Sequence, residues 1–552
     1  MTQRASFAGA ILFLAVLRCW LGAADGFEAR HQPHDELRYA EMADSLIRGA
    51  EGAWLGPYDE LTLIREPGFP LWVALVHAIG LPLKVAADFL HAGASIAFAL
   101  SLRRVGVSRR LSLLVLAGIL FQPPSFYWNA HLAAEALYAP VLLLAMGALM
   151  SAAATGLRPA MVALAFGAGL AAAVLWILRP ERELLFLTLL VFLVLDAACA
   201  WRDRKSSSHS VARVVALALP MALPIAALDS LVQRANFRDY GVSVMSEITD
   251  STFQKAYRTL IRVRPDRPRR YYSMPSESRR KVYSVSPAFR TLEPHLEGAV
   301  GARWREMRPS DRLEPDIPDG WFHWALREAA AAAGHHRSAP VAASFYRRMR
   351  REVEAALESG ALPARSLTLG PLNPDFGLWI THVPWSVVRV GRMLLGLSPL
   401  VEDDRKDVPE STRALVDLVT RRGEAGRQAS PIRRALQLKV RRLFPILCAA
   451  SLLVAALHLL ARLASRRRAA GLVGRVVVPV LLTVILGRLV LFGIIDASSF
   501  TAQGARYMYP VVGLSWAAFA LGGSGFFSIL FRFDARRDRS SRPEVRSEAD
   551  HR

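Results

Sequence analysis

Apolar stretches alternate with short charged intervals along most of the chain. Runs of about 17 to 25 apolar residues recur at 6–23, 85–102, 130–152, 160–178, 184–200, 211–231, 443–463, 471–495 and 507–530, each matched to the roughly 30 Å hydrocarbon core that a spanning helix must cross. A shorter run at 111–126 predicts one more crossing. The stretch 68–81 covers only about 14 residues and is punctuated by Pro67, Pro70 and Pro82, which suits a re-entrant or juxtamembrane segment better than a span. From 233 to 442 the chain turns polar, yet apolar positions recurring at three and four in 321–333 and 341–357 predict helices there too. Residues 376–400 have the composition of a helix lying on a membrane surface. The fold class that follows is an all-α multi-pass membrane protein with ten crossings. Seven spans occupy 1–232, a mostly helical polar domain 233–442, three spans 443–531, and a charged, disordered tail 532–552.

Composition sharpens this picture. The 552 residues are 53% hydrophobic and 21% charged, with a mean hydropathy of +0.25, so the two kinds of residue must be segregated. Arg103, Arg104, Arg109 and Arg110 crowd one short interval, Arg202, Arg204 and Lys205 a second, and Arg462, Arg466, Arg467 and Arg468 a third. The positive-inside rule makes these intervals, the Arg-rich tail and both termini cytoplasmic. The loop 24–66, with Asp35, Glu36, Glu41, Asp44, Asp59 and Glu60, and the polar domain then lie outside. Arg4 followed by an apolar run ending at Gly22-Ala23-Ala24 has the outline of a cleaved signal. Arg18 interrupts that run and many spans follow, so it reads as a retained anchor. Arg18 itself sits near the outer end of the first span, where it is expected to snorkel. Cys19, Cys199 and Cys448 all fall in apolar runs, which implies no disulfide framework. The net charge of +22 is explained by topology and anionic-lipid contacts. Nucleic acid is excluded as a partner for want of any motif. Abundant Ala and Arg with compact loops point to a bacterial plasma (inner) membrane. No repeat of 20 to 50 residues is evident.

The first loop carries the candidate chemistry. Leu37, Ala40, Ala43 and Ile47 follow helical spacing between Asp35 and Gly49, so a short amphipathic helix is expected, with Trp54 soon after. Asp35, Arg38 and Tyr39, three and four apart, should project from one face and gather a carboxylate, a guanidinium and a phenol. The structural alternative is that Asp35 merely caps the helix with Arg38 as its partner.

The string Asp35-Glu36 followed by Arg38-Tyr39-Ala40-Glu41, then Gly49 and Trp54, resembles the first external loop of the GT-C superfamily of glycosyltransferases. The aminoarabinose and protein-mannose transferases that use polyprenyl-phosphate sugars are the nearest analogues. Arg65-Glu66-Pro67 resembles the basic-residue-plus-proline element that leads into their next hydrophobic segment, with Glu66 standing where a Lys is common. Arg506-Tyr507 and Pro510 resemble their Arg-Tyr-x-x-Pro element, and Glu135 their second acidic position. The resemblance, which fades after about residue 200, implies a GT-C-like seven-span module and transfer of a sugar from a polyprenyl-phosphate donor to an extracytoplasmic lipid, polysaccharide or protein. Asp35 would be the general base, paired in its motif with Glu36, and Arg38, Arg65 and Arg506 the cations for the departing phosphate. A single displacement would invert the anomeric centre.

Other polar residues at span ends join the candidates. Arg179-Pro180-Glu181-Arg182 places cations in an external turn, against the charge rule; a lipid phosphate held there, or a local Arg–Glu pair, explains it. Tyr39, Tyr58 and Tyr507 are candidate substrate contacts, and Asn129 and His131 precede Glu135. His31 and His34 with Asp35 or Glu36 form the candidate set for a divalent metal, against the reading of exposed loop histidines. Two other function classes compete. A transporter or flippase of a lipid-linked sugar needs charges at the bilayer midplane on broken helices, whereas these cluster at span ends. A non-catalytic scaffold predicts that the Asp35 loop is replaceable.

Overall fold

The computed structural model describes residues 2–23, 27–28, 35–49, 52–202, 207–249, 252–307, 315–365, 372–397, 408–421, 431–464, 472–500 and 504–523. The expected tail at 532–552, and His31 and His34, lie outside them. In chain order, α1 (Thr2–Gly22) leads into the first loop, which carries α2 (Glu36–Arg48) and α3 (Gly68–Ile79). The first bundle is completed by α4 (Leu83–Arg104), α5 (Arg109–Leu120), α6 (Pro123–Trp128), α7 (Glu135–Ala153), α8 (Pro159–Trp176), α9 (Arg182–Arg202) and α10 (Ser207–Tyr240). The polar segment contributes α11 (Thr252–Leu260), α12 (Ser276–Val285), α13 (Pro287–Arg290), α14 (Glu293–Leu296), α15 (Ala299–Arg305), α16 (Asp319–Ala332), α17 (Ala339–Glu358), α18 (Val383–Gly391) and α19 (Glu410–Thr420). The last helices are α20 (Pro431–Ala464), α21 (Val478–Ser498) and α22 (Gly504–Gly522).

Among the described residues 8 helices, α1, α4, α7, α8, α9, α10, α20 and α21, are long and apolar enough to cross a membrane. The chain is an all-helical, multi-pass membrane protein. The short run 111–126 is divided into α5 and α6, because Pro123 and Pro124 lack amide donors and restart the helix at its first turn. α3 is about 18 Å long, well short of a bilayer core. It begins with the Gly68 amide donating to the Ile177 carbonyl at 2.9 Å, at the end of α8. The helix that follows, α4, starts beside the end of α1, where Lys84 Nζ donates to the Gly22 carbonyl at 2.6 Å. This end of the bundle, where the first loop lies, is the loop end.

α10 spans about 51 Å, some 20 Å more than the hydrocarbon core. Its last turns tie down the first loop: the Trp54 amide donates to Asp239 at 2.9 Å, its indole to Asn236 at 3.0 Å, and the Leu55 amide to the Tyr240 hydroxyl at 3.1 Å. Beyond it, Phe253, Tyr257, Phe289, Phe322, Leu326 and Met349 form the core of the polar domain, and Ile64 of the first loop is buried among them. Later parts of the polar segment behave differently. Val390, Met393, Val416 and Val419 are buried in the core of the membrane bundle, with α18 against α21 and α19 against α2 and α3.

Arg18 does not snorkel. It is fully buried and paired with Asp88 at 3.0 Å, a carboxylate that also accepts from Lys84 and Asn129, each at 2.9 Å. A carboxylate in the second turn of α4 supplies inside the bundle the partner that snorkelling would seek in water.

Candidate active site

Charged side chains from stretches far apart in the chain meet at the loop end. Asp35 stands immediately before α2 with φ −131° and ψ −91°, and its side chain makes no cap bond to the helix. It is instead ion-paired with Arg65 and, at 2.9 Å, with Nη1 of Arg506 in the first turn of α22. Nε of Arg506 reaches Oε1 of Glu135 at 2.8 Å, and Arg179 pairs with the same carboxylate. Nε of Arg179 also donates to Glu181 at 3.0 Å, and Glu181 is bound in turn by Arg488 of α21. The Arg–Glu pair expected within 179–181 is thus one link of a longer chain.

Burial grades along this network. The side chains of Glu135 and Arg488 are 0% and 1% exposed, whereas Asp35 is 19% and Arg65 25% exposed. The deep carboxylates are therefore structural anchors for the cations, and the open end presents Asp35 between two guanidiniums. Burial pushes the Asp35 carboxyl up, but Arg506 and Arg65 outweigh it and hold it well below the usual carboxylate range. Glu66, buried one residue after Arg65, shows the opposite balance: burial raises it above the ordinary range despite Arg182, Arg65 and Arg179 nearby. Tyr39 is buried edge-on to Phe69 at 5.1 Å, and burial raises its hydroxyl to about 12.

Aromatic rings wall the cluster. Tyr507 stacks on Phe492 at 4.4 Å, with the Arg179 guanidinium 5.6 Å from its ring centre. The guanidiniums of Arg65, Arg182 and Arg488 lie over Trp324, Trp176 and Tyr138, each at 5.3 Å. The delocalised guanidinium suits such stacked sites better than an ammonium does.

The structure brings together Asp35, Arg65, Glu135, Arg179, Arg506 and Tyr507, with Glu66 and Arg182 close by and Glu36 buried at the start of α2. Arg38 does not join them. Asp35 lies outside the helix in a non-helical conformation, so helical spacing does not set their relative direction. Arg38 turns the other way, onto Thr62 at 2.8 Å, Glu41 at 3.1 Å and Asp59 at 3.3 Å, and so folds the loop. Tyr58 is likewise drawn off, donating to Glu247 at 3.0 Å and stacking on His336. Asn129 belongs to the Arg18–Asp88 cluster, and His131 packs on Tyr127. Arg488 and Trp324 were not singled out from sequence. An arginine inside a span is itself a signal, which would have found Arg488. Among the described residues no group of three or more His, Cys, Asp or Glu is placed to hold a metal.

Solved structures similar to this chain include the apo oligosaccharyltransferase of Archaeoglobus fulgidus, at 12% identity and TM-score 0.42, covering 97% of this chain and 52% of that one. ArnT from Cupriavidus metallidurans in the apo state is similar at 13% identity and TM-score 0.34, covering 95% and 79%. The same ArnT bound to undecaprenyl phosphate gives 10% identity and TM-score 0.29, covering 98% and 81%. The chain spans about half the length of the oligosaccharyltransferase, 52%. No family model matches the sequence, and neither does any curated protein.

Proposed function

We propose that the chain is an inverting membrane glycosyltransferase that moves a sugar from a polyprenyl-phosphate carrier to an extracytoplasmic lipid, polysaccharide or protein, with Asp35 as general base. The observation that carries this reading is the Asp35 carboxylate held between Arg65 and Arg506 at the open end of the cluster. The first-loop motif supports it independently. The loop end faces outward under this reading, as the charge pattern of the short intervals expects.

The paired geometry suits the electron accounting of such a transfer. The acceptor hydroxyl gives its proton to Asp35 as its oxygen bonds the anomeric carbon, and the carbon–oxygen bond to the carrier breaks with its electron pair going to the phosphate. Asp35 loses one negative charge while the phosphate gains one. Arg65 and Arg506, released by the neutral acid, are then free to hold the new phosphate charge. The charge of the site stays constant through the step, which spares a buried cluster the cost of an unbalanced ion. The transporter reading is less well supported, because the solvent-accessible part of the network, Asp35 and Arg65, lies at a helix end.

The test is mass spectrometry of envelope glycans and polyprenyl-phosphate sugars from cells lacking the gene, complemented with wild type or with Asp35→Asn. Wild type should restore a sugar modification, and the well-expressed Asn variant should leave the donor lipid accumulating. Full complementation by Asp35→Asn would remove Asp35 from the chemistry and favour the scaffold reading.

A further inference from the structure

One helix of the polar domain, α16, lies against the charged cluster. Two aromatic residues three apart, Trp321 and Trp324, share a face of that helix. Trp324 lies beneath the guanidinium of Arg65 at 5.3 Å, and Arg65 is paired with Asp35. Trp321 stands 5.9 Å from Phe500, which is 6.4 Å from Tyr507 at the head of α22. The helix is therefore set against both segments that supply cations to Asp35.

It is also fastened to both. Towards the first loop, Arg327 donates to the Glu60 carbonyl at 2.7 Å and pairs with Glu247 at 2.5 Å, while the Glu247 amide donates to the Leu63 carbonyl at 2.7 Å. These bonds fix the backbone two to five residues before Arg65. Towards α22, the Gly320 amide donates to the Ser499 carbonyl at 3.2 Å, and a Cβ at Gly320 would come within 2.3 Å of Phe500. Only glycine lets α16 approach this closely.

We infer that Trp324 is a positioning residue for Arg65, so that the polar domain completes the carrier-phosphate site. This rests on the transferase reading above. A flexible arginine at a quarter-exposed position loses rotamer freedom when it lies on a fixed indole, and a preplaced guanidinium binds a phosphate oxygen at lower entropic cost.

The experiment uses the full chain in detergent, with farnesyl phosphate as a soluble probe of the carrier phosphate. Binding is measured by calorimetry for wild type, Trp324→Leu, Trp324→Phe, Arg65→Lys and the Trp324→Leu/Arg65→Lys double variant, alongside the thermal midpoint of each. Trp324→Leu should weaken binding about tenfold, the scale of a desolvated cation–aromatic contact. Phe should recover most of it, and the double variant should bind no worse than Arg65→Lys alone. Additive losses in the double variant, or unchanged binding by Trp324→Leu with a lowered midpoint, would overturn the inference, since Trp324 would then act on the fold and not through Arg65. If Trp324→Leu does not fold, Trp324→Phe and Arg65→Lys decide the matter: Arg65→Lys, which keeps the charge but loses the planar stack, must weaken binding while Phe does not. Farnesyl phosphate ignored by folded wild type would count against the transferase reading itself, a different failure from the loss of the Trp324 effect.

Discussion

Asp35 is held by two guanidiniums, and in the role of base proposed above it would be a weak one until something draws them away. Its carboxyl lies well below the ordinary range, so the stability of these pairs is present above the unfolded value near 4 and is lost only as pH falls through the lower folded value. In the free protein Asp35 is ionised throughout the physiological range. kcat/KM should accordingly show no acid limb from Asp35 between pH 5 and 8. The kcat profile should show its acid limb at higher pH, because bound phosphate competes for Arg65 and Arg506. Parallel pH profiles of the two constants check this, and coincident limbs would argue against the competition. The same logic makes Asp35→Asn an inactive variant that binds polyprenyl phosphate more tightly than wild type. Deeper in the bundle, Arg488→Met leaves Glu181 buried without its main partner and should cost about 3 to 5 kcal/mol. Adding Glu181→Gln should recover most of that loss in chemical denaturation.

At the level of elements, the approach of α3 to α8 sets where Arg65 and Glu66 can lie. A Cβ at Gly68 would come within 2.6 Å of the Ile177 carbonyl, so Gly68→Ala must push the start of α3 outward and carry Arg65 with it. With Arg65 as the phosphate ligand proposed above, its misplacement by about 1 Å predicts a fall in kcat/KM of about 100-fold with a modest change in thermal midpoint; equal losses of activity and folded protein would contradict it. Much of this level was legible in the chain. Spacing at Leu37, Ala40, Ala43 and Ile47 predicted α2, and Gly49 ends it at φ 61° as a left-handed cap should. The direction of Arg38 was not legible, because it depends on Asp35 lying outside the helix. The link from Arg488 to Glu181 joins positions 307 residues apart, a distance at which neither periodicity nor local spacing carries information. The docking of α18 and α19 on the bundle was hidden for the same reason, since a short amphipathic helix reads alike beside a membrane and inside a fold.

Across the whole molecule, the polar domain has a titrating group close to its junction with the bundle. Burial pushes the Asp319 carboxyl up to about 7, although bonds from Ser273 and from Asn373 at 3.1 Å and the charge of Arg365 oppose it. A raised carboxyl contributes stability that is full below its ordinary value near 4 and is lost as pH rises through 7. The thermal midpoint should therefore fall between pH 5 and 8, and Asp319→Asn should flatten that slope; an unchanged slope would place the titration elsewhere. The distribution of the charged network along the chain also bears on how the protein is made. Glu135 and Glu181 are synthesised early together with Arg179, which pairs with both, but their other partners, Arg506 and Arg488, follow 371 and 307 residues later. At roughly 5 to 20 residues per second the wait lasts tens of seconds. During biogenesis the two acids share the single cation Arg179, so one of them must stay protonated, solvated or shielded by the insertion machinery, and a chain stalled before α21 would be a target for membrane quality control, however well its earlier helices had inserted.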